Sequence, residues 1–168
     1  MDESLIARRI RTLREQTNNG KNTISILQLN GRTEDVSFKF EAPATQNEIN
    51  ALKAFNLPDD YIEFFTYTNG LSLFNTEIEG ISMGYACEMY SIDQVITQYK
   101  KHSNVGNELL PILFLRDIGD MYINVDRLHK GESYLTFPGM ESNKYFAYSV
   151  SEWLDKYVVS GGNEFWNQ

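Results

Sequence analysis

With 168 residues, 42% of them apolar and including ten Phe, ten Tyr and two Trp, the chain has enough length and enough apolar surface to bury one substantial core. That composition excludes a disordered chain, the single cysteine Cys87 excludes an internal disulfide framework, and no apolar run reaches the length of a membrane span. The formal charge of −8 is unevenly placed: residues 1–21 carry a net +2, whereas residues 34–93 set eleven acids against Lys39 and Lys53, a net −9. A field of that sign repels nucleic acid and anionic membranes and speeds encounter with basic partners. Arg8, Arg9, Arg11 and Arg14 interrupt the N-terminal segment, so no signal peptide is read there and the expected location is cytoplasmic.

In chain order, residues 4–16 have amphipathic helical spacing, with Leu5, Ile6, Ile10 and Leu13 on one side, and Asn18-Asn19-Gly20 ends the run. A hairpin follows. TISILQL alternates, Asn30-Gly31 is a strong turn signal, and Val36, Phe38 and Phe40 alternate on the return. Thr45-Gln46-Asn47-Glu48 is a capping box for a helix burying Ile49, Leu52 and Phe55. Pro58 suits the first position of a second helix, with Asp59 and Asp60 at its positive end and Tyr61, Phe64, Phe65 and Thr68 following at helical spacing; Asn69-Gly70 stops it.

After a loop, TEIEGISM reads as one strand. Ser91-Ile92-Asp93-Gln94 caps a third helix burying Ile92, Val95, Ile96 and Tyr99. PILFLR and DMYINV read as strands joined at Asp117-Ile118-Gly119, with SYLTF and KYFAYS as two more. Ser149-Val150-Ser151-Glu152 caps a last helix bearing Trp153, Leu154, Tyr157 and Val158, which Gly161-Gly162 closes. Helices early and late around mostly antiparallel strands define an α+β fold, a twisted sheet with flanking helices. The expected organisation is an N-terminal amphipathic helix, 1–22, followed by one α+β domain, 23–168.

Pro43-Ala44-Thr45, Glu48-Ile49, Leu57-Pro58-Asp59-Asp60-Tyr61, Phe64-Phe65 and Asn69-Gly70 together resemble the SUKH superfamily, as do Leu110-Pro111-Ile112, Gly119 to Ile123 and Glu152-Trp153-Leu154 further on. The similarity spans about residues 36–158. That superfamily includes bacterial immunity proteins against polymorphic toxins and fungal regulators of cell-wall synthesis. The resemblance implies structural roles for the shared residues: Leu57, Tyr61, Phe64 and Trp153 as core, Pro58 and Gly70 as helix punctuation. It implies no shared catalytic centre.

Gly80-Ile81-Ser82-Met83-Gly84 matches the G-x-S-x-G nucleophile elbow, and Asp117, Asp120 or Asp126 and then His129 follow in Ser…Asp…His order. Chemistry there needs a strand–turn–helix setting, yet no helix start is read before Ser91, so a serine hydrolase is the last-ranked alternative. His102 and His129 are the two histidines and lie in no ligand-spaced cluster; His102 reads as solvated after a helix. Cys87 reads as a packed apolar thiol. The acids of 117–126 lack a calcium-loop pattern, and no phosphate-binding glycine loop exists. No enzyme activity, metal or cofactor is expected.

The aromatic residues stand among acids rather than basic residues, a mixture that suits a protein interface. Leu71, Leu73, Phe74, Tyr85, Met89 and Tyr90, flanking glycine-containing loops, are the aromatic and aliphatic candidates for it. The expected function is that of an immunity protein (antitoxin) binding a cognate toxin, a basic nuclease domain. Glu77, Glu79, Glu88, Asp93, Asp117 and Asp120 would supply charge, and Tyr85 and Tyr90 would be anchors. A non-catalytic regulatory adaptor is the first alternative.

Overall fold

In the computed structural model the described residues are 3–28, 30–79, 81–101, 108–138 and 144–167. They form eight strands in one antiparallel sheet whose spatial order is the chain order: β1 Ile24–Leu27, β2 Thr33–Phe40, β3 Leu71–Ile78, β4 Ile81–Met89, β5 Leu109–Leu115, β6 Gly119–Asn124, β7 Leu135–Thr136 and β8 Tyr145–Phe146. The helices among them are α1 Leu5–Gln16, α2 Gln46–Ala51, α3 Asp59–Tyr67, α4 Ile92–Lys101, α5 Val125–His129 and α6 Val150–Val159, with 3-10 turns at Lys53–Phe55 and Phe165–Asn167. This is the expected α+β class.

Register separates the two faces of the sheet. Phe40, Leu71, Met89, Leu113 and Met121 face one another across β2 to β6 in one row, and the last four are buried. One residue along, Lys39, Ser72, Glu88, Phe114 and Asp120 form a second row on the other face, exposed or half-buried. Side chains alternate along a strand, so the first row belongs to the core and the second to an open face.

Helices cover the core side. Trp153 of α6 stacks on Tyr157 at 5.1 Å and meets Phe137 edge-on, while Tyr157 reaches Phe74 of β3. Helix α1 buries Ile6, Ala7, Ile10 and Leu13 and packs against α3 and α6, with Arg9 bonded to Asp155 and Ser4 donating to Glu63 at 2.6 Å.

The shared motif residues act as joints. Thr45 and Glu48 complete the capping box of α2. The other oxygen of Glu48 accepts from Asn69 Nδ2 at 3.2 Å, and Asn69 Oδ1 accepts the Ile92 N–H at 2.9 Å, so one side chain ties the starts of α2 and α4. Gly70 follows at φ 118°, a conformation that favours glycine. Asp60 accepts the Ser151 N–H at the start of α6, binding α3 to α6.

Several expectations need correction. TEIEGISM is not one strand: β3 ends at Ile78 and β4 begins at Ile81, the two residues pair with each other, and Glu79 takes a left-handed φ of 51°. Ile78 and Ile81 therefore face the same side although three positions apart, so the alternation changes phase between the two strands. Leu71, Leu73, Phe74 and Met89, read as loop-flanking interface candidates, are buried strand residues. Pro58 stands at the N-cap of α3 rather than inside it. Strand β6 ends where Asn124 caps the short helix α5 by accepting from Arg127 N–H at 3.0 Å. SYLTF and KYFAYS contribute two paired residues each. His102 and Gly80 lie outside the described residues.

Candidate functional site: the open face of the sheet

The open face is built by strand alternation and by two local irregularities. At Phe74, φ 57°, β3 carries an extra residue, so Leu73 and Phe74 both serve the core and Asn75 turns outward, its amide donating to Ser37 at 3.2 Å. Asn75 pairs with Tyr85, and Ser82, which pairs with Glu77, donates its hydroxyl to Asn75 at 2.7 Å. A second irregularity follows at Gly84, φ 77°, where Arg116 donates to the Gly84 and Tyr85 carbonyls.

Glu77, Tyr85, Glu88 and Asp120 therefore share the open face. Lys39 stands near them, already paired with Glu41; that bond chiefly raises its ammonium pKa, with smaller contributions from Tyr85 and Glu88. Adjacent strands lie about 4.8 Å apart, so Glu88 and Asp120 are about 10 Å apart with the Phe114 ring rising between them.

Asp120 is held from two sides. Tyr90 donates its hydroxyl to one carboxylate oxygen and Tyr122 reaches the other at 3.5 Å. Burial, then the bond to Asp120, raises the Tyr90 phenol; burial, then the Asp120 charge, pushes Tyr122 up to about 12. Both stay protonated donors at neutral pH. Tyr90 is only 6% exposed, which does not suit the anchor role expected of it, and its hydroxyl is engaged by Asp120.

The remaining acids lie elsewhere. Glu79 is at the β3–β4 turn, Asp93 in the first turn of α4, and Asp117 in the β5–β6 turn. Sequence reasoning missed Phe114 because PILFLR reads as uniformly buried; its outward position follows only from the cross-strand register. It also missed Lys39 as the cation beside the row.

Ser82 lies within β4 with its hydroxyl committed to Asn75, not on a strand-to-helix turn. Cys87 is fully buried and its thiol is pushed up by burial. No helix among the described residues is long and apolar enough to cross a membrane.

The fold and this face define a single α+β scaffold, helices on one side of a meander sheet and a polar, aromatic surface on the other. The model of the SMI1/KNR4 family (SUKH-1) matches residues 43–156, and the chain belongs to that family. It is also similar to the uncharacterized protein YobM of Bacillus subtilis (strain 168), with 26% identity over 132 residues, covering 74% of this chain and 70% of the relative. Membership places the chain among proteins of the immunity or regulator kind.

Proposed function

We propose that the chain is a cytoplasmic immunity protein that binds a cognate toxin, a nuclease domain, and covers its substrate-binding surface with the open face of the sheet. The observation that carries this reading is the row Glu88–Phe114–Asp120, extended by Tyr85 and Glu77: carboxylates set around aromatic rings on an uncovered face. A nuclease must attract phosphate, so its active face is basic. Carboxylates at fixed spacing imitate the anion, and half-exposed rings add contact area that slows release. Family membership supports a binding role of this kind, and equally a regulatory adaptor acting on another protein.

The test is co-expression with the toxin encoded beside this chain, then kinetics on the purified pair. Glu77→Lys with Glu88→Lys should slow association by about ten-fold or more at low salt, within the range ascribed to steering. Glu79→Lys with Asp93→Lys changes the same charge away from the face and should cost much less. Phe114→Ala and Tyr85→Ala should instead raise the dissociation rate with little salt dependence. Protection of cells and an unchanged association rate in the Glu77/Glu88 variant would overturn the mechanism. Absence of binding to any neighbouring toxin would leave the adaptor.

A further inference from the structure

The β3–β4 hairpin outruns the helical layer that covers its inner side. Thr76 pairs with the buried Val36 and, with Phe74 and Ala86, floors a cavity of about 160 Å³ walled by Gly161 and Gly162 beyond the end of α6. A second cavity of about 60 Å³ shares Ala86, Arg116, Asp117 and Gly162 with it and reaches Tyr157, Glu164 and Trp166.

Alternation puts Ile78 on the same side as Thr76, and Ile81 faces Ile78 across the hairpin. The cavity itself has a mixed lining, with Gln28, Glu34, Thr76 and Asp117 beside the buried Val36 and Phe74, and the exposed apolar surface begins beyond it at Ile78, Ile81 and Met83, which are 58%, 67% and 47% exposed. Isolated exposed aliphatics are ordinary, but three adjoining an open groove are not. The rim is acidic: Glu34 and Asp117 line the larger cavity, Glu164 the smaller, and Glu79 stands at the hairpin turn. The cation there, Arg116, has its guanidinium turned onto the Gly84 and Tyr85 carbonyls.

We propose that this strip is a second docking surface, on the side of the sheet opposite the open face, and that its occupant is a basic amphipathic helix of a partner protein. An apolar strip of Ile78, Ile81 and Met83 on the inner side of the sheet, past the point where the helical layer stops, is ground on which a further helix of that layer would lie. The four acids along its rim select Lys and Arg on the flanks of such a helix and disfavour a second copy of this acidic chain. This rests on the reading that the chain binds a protein, and not on what occupies the open face.

The probe is a labelled peptide of about 18 residues made of Leu and Lys, with Leu at i, i+3, i+4 and i+7. Its controls are the same composition scrambled and a Leu/Glu version, each titrated by fluorescence anisotropy. The ordered basic peptide should bind, weakening as salt rises, and both controls should bind at least about ten-fold more weakly. Ile78→Ser with Ile81→Ser lies at an exposed tip and should leave the circular dichroism spectrum intact while weakening the peptide by about ten-fold. Asp117→Lys should weaken it and flatten the salt dependence. Phe114→Ala, on the other face, should leave it unchanged, so a failed open-face interface is distinguishable from a failed groove.

Equal binding of the scrambled peptide, or full binding by the Ile78/Ile81 variant, overturns the proposal. So does a wild-type dimer in sedimentation that this variant dissociates, because the occupant is then a second copy.

Discussion

Tyr61 is fully buried, its ring 5.0 Å from that of Phe65, and among the described residues its hydroxyl has no partner. An unmet buried donor keeps its desolvation cost, so Tyr61→Phe should stabilise the fold by about 1 kcal/mol, read as a higher urea midpoint. A lower midpoint would reveal a hydrogen bond made in solution. Trp153 poses the opposite case. Its indole N–H also lacks a partner, yet its ring stacks on Tyr157 and Trp166 at the centre of the core. Trp153→Ala should cost about 3–5 kcal/mol, the usual range for a large core aromatic. Gly162 is a third kind of constraint: φ is 80°, and a Cβ there would stand 2.9 Å from the Phe74 ring. Gly162→Ala should therefore cost about 1–3 kcal/mol through backbone strain alone, with steric pressure on Phe74 added.

Among the elements, α4 depends on a side chain from another part of the chain. Asn69→Ala removes both its donation to Glu48 and the acceptor for the Ile92 N–H, and should cost about 1–2 kcal/mol, the scale of a lost cap. Asn69→Asp keeps the acceptor but sets a carboxylate against Glu48, so Glu48→Gln should recover part of the loss in a double-mutant cycle; strict additivity would show that the contact does not form in solution. Helix ends of this sort were legible in the sequence because capping chemistry is local: Thr45, Ser91 and Ser149 each stand at the start predicted for them. The break between β3 and β4 was not, since Glu79 takes a left-handed φ although glutamate is not among the residue types that signal one. The open face was legible only in its composition. Which acids share it depends on the extra residue at Phe74 and on cross-strand register, and neither has a signature within one strand.

At the scale of the molecule, five partly or wholly buried phenols set the alkaline limit. Burial is the leading cause in each: Tyr122 and Tyr134 are pushed up to about 12, and Tyr61, Tyr90 and Tyr157 higher still. An unfolded tyrosine titrates near 10. Below that pH both states hold the proton and the contribution is fully present. From about pH 10 upward the unfolded chain releases protons that the folded one retains, so stability falls as pH rises. Urea midpoints should be level from pH 7 to about 9 and decline from about 10 to 11.5. A level midpoint across the whole range would show these phenols to be open to solvent. At the acid end the sign reverses: Glu48 is held below its ordinary value by its bonds to the Thr45 side chain and backbone, a contribution present at neutral pH and lost as pH falls.

Because every strand pairs with the strand made just before it, the sheet can zip up in the order of translation, with helices inserted between β2 and β3 and between β4 and β5 but no crossover to wait for. The helical layer keeps a different schedule. Helix α1 leaves the ribosome before any strand of the sheet, yet its partner Asp155 and the Trp153–Tyr157 stack arrive with α6, after all eight strands. Until then the nascent chain carries a sheet finished on its outer side and oily on its inner side. A chain interrupted after Ser149 would stay that way, and its fate should be set by chaperones and proteases rather than by any loss at the outer face.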